Sequence, residues 1–154
     1  MKLREKQKAG KGWFEGMGRK TDRDIMNNTA SLVKLPEAEF EIMSVIWKNT
    51  PPITTAIIMN QMGNEKGWKL QTLITLLNRL IERGFLRSEK LGKERTYYPC
   101  ITHDEYIQFE TALFVERYHE NSIFQLVNTF SGNAKLSKEE INELSEWLKM
   151  QEEE

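Results

Sequence analysis

The sequence of 154 residues contains one cysteine, Cys100, so no internal disulfide can form and no cysteine cluster offers itself to a metal. His103 and His119 are its two histidines, too few for a zinc or copper site to be expected. No uncharged apolar stretch reaches the roughly 18 residues that a spanning helix needs, so direct membrane insertion is not expected. The N-terminus is rich in lysine but lacks a contiguous apolar core, which argues against a secretory signal. These absences point to the cytoplasm. Catalytic signatures are missing as well: there is no Gly-rich phosphate loop, no Gly-x-Ser-x-Gly, no His-Glu-x-x-His and no Cys/His pair. Acidic neighbours such as Glu139 and Glu140 suit the start of a helix better than acid–base chemistry. Neither an enzyme nor a cofactor is expected.

A formal net charge of −1 hides a strong asymmetry. Residues 1–34 hold nine Lys/Arg against four Asp/Glu, residues 35–103 nine against seven, and residues 104–154 four against twelve. A basic front and an acidic rear suit a molecule that turns one side toward a polyanion, although acidic helix faces are also common in water-exposed proteins.

Residues 1–34 read as a flexible basic extension, because Gly10, Gly12, Gly16 and Gly18 discourage regular structure there. Patterned sequence begins at Leu35-Pro36. Proline is tolerated in a first helical turn, and Phe40, Met43, Ile46 and Trp47 follow at helical spacing. Asn49 through Pro52 ends that helix. Thr54 caps a second, short one with Ile57, Ile58 and Met62 turned inward. Trp68 fills space between helices. A third helix runs from Leu70 to Arg83, with Leu73, Leu76, Leu77 and Leu80 on its apolar side and Gly84 at the left-handed position after its end. Its other side carries Gln71, Thr72, Thr75, Asn78 and Arg79, with no carboxylate until Glu82. A surface that approaches phosphates and base edges needs that composition, since an acidic side chain there is repelled.

The period then changes. Phe85–Lys90 reads as a strand, Leu91-Gly92-Lys93 as a turn, and Glu94–Cys100 as the returning strand, with Lys90, Lys93 and Arg95 near the tip. The expected fold is therefore mostly α: a winged helix-turn-helix of three helices plus a two-stranded β-wing over residues 35–103, followed by a helical dimerisation domain over residues 104–154. Thr102 and Glu105 have capping-box spacing, as do Ser137 and Glu140. The rear segments are short and amphipathic. Phe114, Tyr118, Ile123, Leu126, Val127, Phe130, Leu144, Trp147 and Leu148 are the expected homodimer interface, since so few residues rarely build an independent core. A two-fold dimer sets its two reading helices about one DNA turn apart, which fits a palindromic operator.

Leu35-Pro-Glu-Ala-Glu-Phe-Glu-Ile-Met43, Ile46-Trp47, Gln71-Thr-Leu-Ile-Thr-Leu-Leu-Asn-Arg-Leu80, Gly84-Phe85-Leu86, Tyr97-Tyr98-Pro99 and Leu136–Leu144 together resemble the penicillinase-repressor family. That family includes the β-lactamase, methicillin-resistance and copper-responsive repressors. The resemblance, over about residues 35–148, implies a homodimeric transcriptional repressor on an inverted-repeat operator of double-stranded DNA. Carried over by position, Gln71, Thr72 and Thr75 face bases, while Lys69, Asn78, Arg79, Lys90, Lys93 and Arg95 hold the backbone. It also implies release by proteolysis in the rear domain, triggered by a membrane sensor peptidase, with Leu113–Phe114 as the aligned cleavage region. This chain departs from the family at three points. Gln71 stands where many members have lysine, Leu113 replaces the asparagine of the cleaved bond, and the rear half lacks the cysteines of the copper-responsive branch. Two other readings stay open: a winged-helix protein–protein adaptor, and a small-molecule sensor with a pocket lined by Phe109, Phe114 and Tyr118.

Overall fold

Pro36 ends an extended lead-in and caps the first helix, α1 (Glu37–Lys48), where its missing N–H costs nothing. The structure, a computed structural model, describes residues 32–153. The basic extension expected at the N-terminus thus falls almost wholly outside the described residues. Leu32 is buried in the same core as Leu35, so packing starts earlier than the sequence pattern does. One isolated leucine carries no periodicity to reveal it. The chain divides into two compact units, one ending at Phe109 and one covering Glu110–Glu154.

In the first unit, α1 buries Ile42, Met43 and Ile46, with Phe40 and Trp47 packed at the margin. Strand β1 (Ile53–Thr54) leads into α2 (Thr55–Ile58), which widens into a π-helical turn at Met59–Gly63. The Thr54 hydroxyl accepts from the Ile57 N–H at 3.3 Å, the cap expected from sequence. Helix α3 (Leu70–Glu82) buries Leu73, Leu77 and Leu80 completely, and Gly84 follows with φ +81°. That left-handed backbone is where glycine is least strained. Strands β2 (Leu86–Leu91) and β3 (Glu94–Pro99) form an antiparallel hairpin across the turn Gly92-Lys93, with Lys90 opposite Arg95. Strand β1 adds to the outer side of β3, so the sheet is three-stranded in the order β1-β3-β2 rather than a hairpin alone. A strand of two residues leaves no alternation for the sequence to display.

Helix α4 (His103–His119) opens on the expected capping box: the Thr102 N–H donates to Glu105 at 2.9 Å and the Glu105 N–H to the Thr102 hydroxyl at 3.1 Å. Phe114 and Tyr118, expected in the homodimer interface, are not on the buried side of α4. Tyr106, Val115 and His119 are buried, whereas Phe114 and Tyr118 lie 47% and 59% exposed. Tyr106 decides this. Its ring meets Phe40, Trp47, Phe85 and Phe109 at centroid separations of 5.6–6.2 Å, and its hydroxyl accepts the Leu35 N–H at 2.9 Å.

A buried charge was also unforeseen. Glu39 reads as a first-turn acid, yet it is 1% exposed and its Oε2 lies 2.9 Å from Arg83 Nε, at the end of α3. The pair ties α1 to the last turn of α3. Tyr97 of β3 is buried beside Leu86 and Ile53 in that core. Burial pushes its phenol up from the usual 10.0, and Arg95 lowers it in part. The unfolded chain therefore gives up this proton first, so stability held below pH 10 falls as the pH rises beyond it. Tyr97→Phe should flatten that alkaline decline in urea melts. An unchanged decline would assign it to other groups.

In the second unit, α5 (Ile123–Asn133) starts on Ser122, whose hydroxyl accepts the Gln125 N–H, and α6 (Lys138–Glu152) on the Ser137–Glu140 capping box. Neither helix has a fully buried residue.

Candidate nucleic-acid interface

The outward side of α3 follows from its inward one. With Leu73, Leu77 and Leu80 fixed in the core, a helix of 3.6 residues per turn must present Gln71, Thr72, Thr75, Asn78 and Arg79 to solvent, and all five are exposed. Lys69 is the N-cap residue, and no side chain caps the helix start. The Thr72 N–H donates to the Lys69 carbonyl at 3.0 Å, and the N-terminal end of α3 carries the positive end of the helix dipole. The Thr75 hydroxyl donates to the Gln71 carbonyl at 2.9 Å. Its proton is committed to the backbone, which leaves lone pairs and a methyl group free for contact.

The hairpin supplies the second half. Cross-strand partners share a face, so Lys90 and Arg95 lie on one side of the ribbon and Arg87 and Tyr98 on the other. The Arg95 guanidinium donates to the Ser88 hydroxyl at 2.8 Å. The Arg87 guanidinium stacks 4.1 Å from the Tyr98 ring centre and pairs with Glu89. Its charge is largely spent within the wing.

A groove separates α3 from the wing. Thr55, Ile74 and Asn78 form one wall, and Lys93, Glu94, Arg95 and Tyr97 the other. The structure thus brings together three residues expected to touch the backbone: Asn78, Lys93 and Arg95. Lys69, Arg79 and Lys90 stand outside these walls. Thr55, Ile74, Glu94 and Tyr97 are groove residues that the sequence reading missed. Thr55 sits on the second helix, whose proximity to the wing only the sheet reveals, and Ile74 looks like another apolar core position. Among the described residues no group of three or more His, Cys, Asp or Glu side chains could hold a metal ion, and no helix is long and apolar enough to cross a membrane.

A helix-turn-helix backed by a hairpin wing, with a polar face free of carboxylates from Gln71 to Arg79 on its third helix and cations across the groove, defines a winged-helix DNA-binding protein. Residues 35–150 match the penicillinase repressor family. The penicillinase repressor of Bacillus licheniformis is 35% identical over 115 residues, which are 75% of this chain and 89% of that protein. The methicillin resistance regulatory protein MecI of Staphylococcus aureus (strain N315) is 30% identical over 112 residues, covering 72% of this chain and 89% of its own. The solution structure of the DNA-binding domain of the repressor BlaI is 34% identical and covers 47% of this chain and 88% of that domain, with a TM-score of 0.43. The chain belongs to the penicillinase repressor family, which consists of DNA-binding transcriptional repressors and not of enzymes.

Proposed function

We propose that the chain is a cytoplasmic homodimer that represses transcription from a palindromic operator. Each protomer lays α3 in the major groove and rests its wing on the flanking backbone. The observation that carries this reading is the exposed, carboxylate-free run Gln71, Thr72, Thr75, Asn78 and Arg79, with Asn78 across a groove from Lys93 and Arg95 of the wing. Gln71, Thr72 and Thr75 read bases. A glutamine pairs with adenine where a lysine pairs with guanine, and the Thr75 methyl and lone pairs fit a thymine methyl or an exocyclic amine. Lys69, Asn78, Arg79, Lys90, Lys93 and Arg95 hold phosphates and fix the register.

Residues 35–103 form the DNA-binding domain in this reading, and residues 104–154 pair two chains. The apolar side chains named for that pairing are available: Phe114, Tyr118, Ile123, Phe130 and Leu148 are exposed, and Leu126, Val127, Leu144 and Trp147 half-buried. Release comes from proteolysis or another signal, with a membrane sensor peptidase as the partner if it is proteolytic. Leu113 and Phe114 are both exposed but lie inside α4, so cutting there requires local unwinding first.

The test is a mobility shift on the DNA upstream of the chain's own gene, against a random duplex of equal length. Thr72→Ala should weaken the upstream duplex about tenfold and the random one little, since a lost base contact costs roughly 1–3 kcal/mol of discrimination. Lys93→Ala should weaken both alike and reduce the salt slope by about one. Equal losses from the two changes would refute the division of roles, and no shift at low salt would sink the repressor reading.

A further inference from the structure

With α3 in the major groove and the wing on the flanking backbone, the cleft between them faces the sugar-phosphate strand. A phosphodiester offers only acceptor oxygens, so a surface that holds one must supply hydrogen-bond donors or cations. Thr55, Asn78, Lys93 and Arg95 all line this cleft, and every one of them is a donor type. Glu94 lines it too, but strand register puts its side chain on the ribbon face of Arg87, Glu89 and Tyr98, opposite that of Arg95 and Tyr97.

Thr55 comes to the cleft through the sheet. Strand β1 pairs Ile53 with Tyr97 and Thr54 with Thr96, a direction that leads toward Arg95, and Thr55 follows as the first residue of α2. Neighbouring hydroxyls are committed to the fold. That of Thr54 caps α2 by accepting the Ile57 N–H, and that of Thr75 donates to the Gln71 carbonyl. Among the described residues, no hydrogen bond engages the side chain of Thr55 or Asn78, and no ion pair engages Lys93. Arg95 donates to Ser88, yet it also lowers the phenol of Tyr97, which lines the cleft, so its charge is felt there. Uncommitted donors from α2, α3 and the wing thus meet at one place.

We propose that the Thr55 hydroxyl holds the backbone phosphate that Lys93 attracts, so that α2, α3 and the wing close on one phosphodiester. The proposal rests on the reading that α3 and the wing grip duplex DNA. A contact to phosphate carries no sequence information. Thr55 therefore fixes how α3 sits in the groove and leaves the choice of bases to Gln71, Thr72 and Thr75.

The experiment measures binding of the full chain to two duplexes, one from upstream of its own gene and one random, across a KCl series. Thr55→Val keeps the shape and removes the hydroxyl. It should weaken both duplexes about tenfold, the scale of a lost hydrogen bond to a charged group, and leave the slope of log K against log salt as it was. Thr55→Ser restores the hydroxyl and should recover most of that loss. Thr55→Val combined with Lys93→Ala should lose less than the product of the two single losses, because both side chains hold one phosphate. Equal losses from Thr55→Val and Thr55→Ser would trace the effect to the methyl group and overturn the proposal. Loss on the upstream duplex alone would make Thr55 a base reader and overturn it too, as would a double variant that loses the full product. If Thr72→Ala and Lys93→Ala act as expected while Thr55→Val changes nothing, the role of Thr55 fails and the reading of α3 and the wing stands. If the unaltered chain binds neither duplex, both fall.

Discussion

Replacing Tyr106 with alanine is expected to cost the first unit about 4 kcal/mol, the middle of the range for removing a large buried aromatic. The ring is fully buried among Phe40, Trp47, Phe85 and Phe109, so its loss leaves a cavity bounded by α1, α4 and the start of β2. The Leu35 N–H also loses its acceptor. Domains of this size are stable by roughly 5–15 kcal/mol, so the change removes a large share of the total. Tyr106→Phe keeps the ring and removes the hydroxyl that accepts the Leu35 N–H, which should cost about 1 kcal/mol. Urea unfolding followed by tryptophan fluorescence measures both, since Trp47 lies against Tyr106 with 5.7 Å between ring centres. A Tyr106→Ala protein within 1 kcal/mol of the unaltered one, on the order of a single surface change, would show that the cluster is not the keystone.

Placing a charge on the rear apolar surface should have the second large effect. On α5, Ile123, Phe124 and Phe130 are 55%, 77% and 56% exposed, and on α6 Ile141 and Leu148 are 48% and 47% exposed. Burying a single such side chain contributes about 1.5–3 kcal/mol, which gives a second copy of the chain a strong reason to cover them. Phe130→Asp would force a carboxylate into that contact without a partner. The variant should sediment as a monomer at micromolar concentration. Affinity for a two-half-site operator should fall about 100-fold or more, because the second half-site no longer binds as a linked event. Binding to a single half-site should be unchanged. A Phe130→Asp protein that remains dimeric would place the interface elsewhere.

Much of this architecture is legible in the residue order. The leucine stripe of α3 gives its inward side, and with it the solvent-facing run from Gln71 to Arg79. Gly84 marks where α3 ends, and its φ of +81° supplies the reason. Both capping boxes are local pairs three residues apart, readable because nothing distant takes part. The features that escaped reading depend on distant partners. Glu39 carries the same local signal as Glu37, yet only Glu39 meets Arg83, 44 positions along the chain. Ile53 and Thr54 become a strand because β3 is there to pair with them.

The surface from Lys69 to Arg79 and the wing cations were fixed by sequence alone, because periodicity and charge are properties of adjacent residues. The leucines must go inward, and the polar residues between them have nowhere else to go. Tertiary structure alone decided three matters. It turned Tyr106, rather than Phe114 and Tyr118, into the buried side of α4, because the hole left by Phe40, Trp47 and Phe85 lies beside the start of that helix. It spent Arg87 on Tyr98 and Glu89 while leaving Lys93 and Arg95 at the groove, because strand register sets which side chains share a face. It also set Asn78 of α3 across one groove from Lys93 and Arg95 of the wing, a juxtaposition of helix and wing that no local pattern encodes.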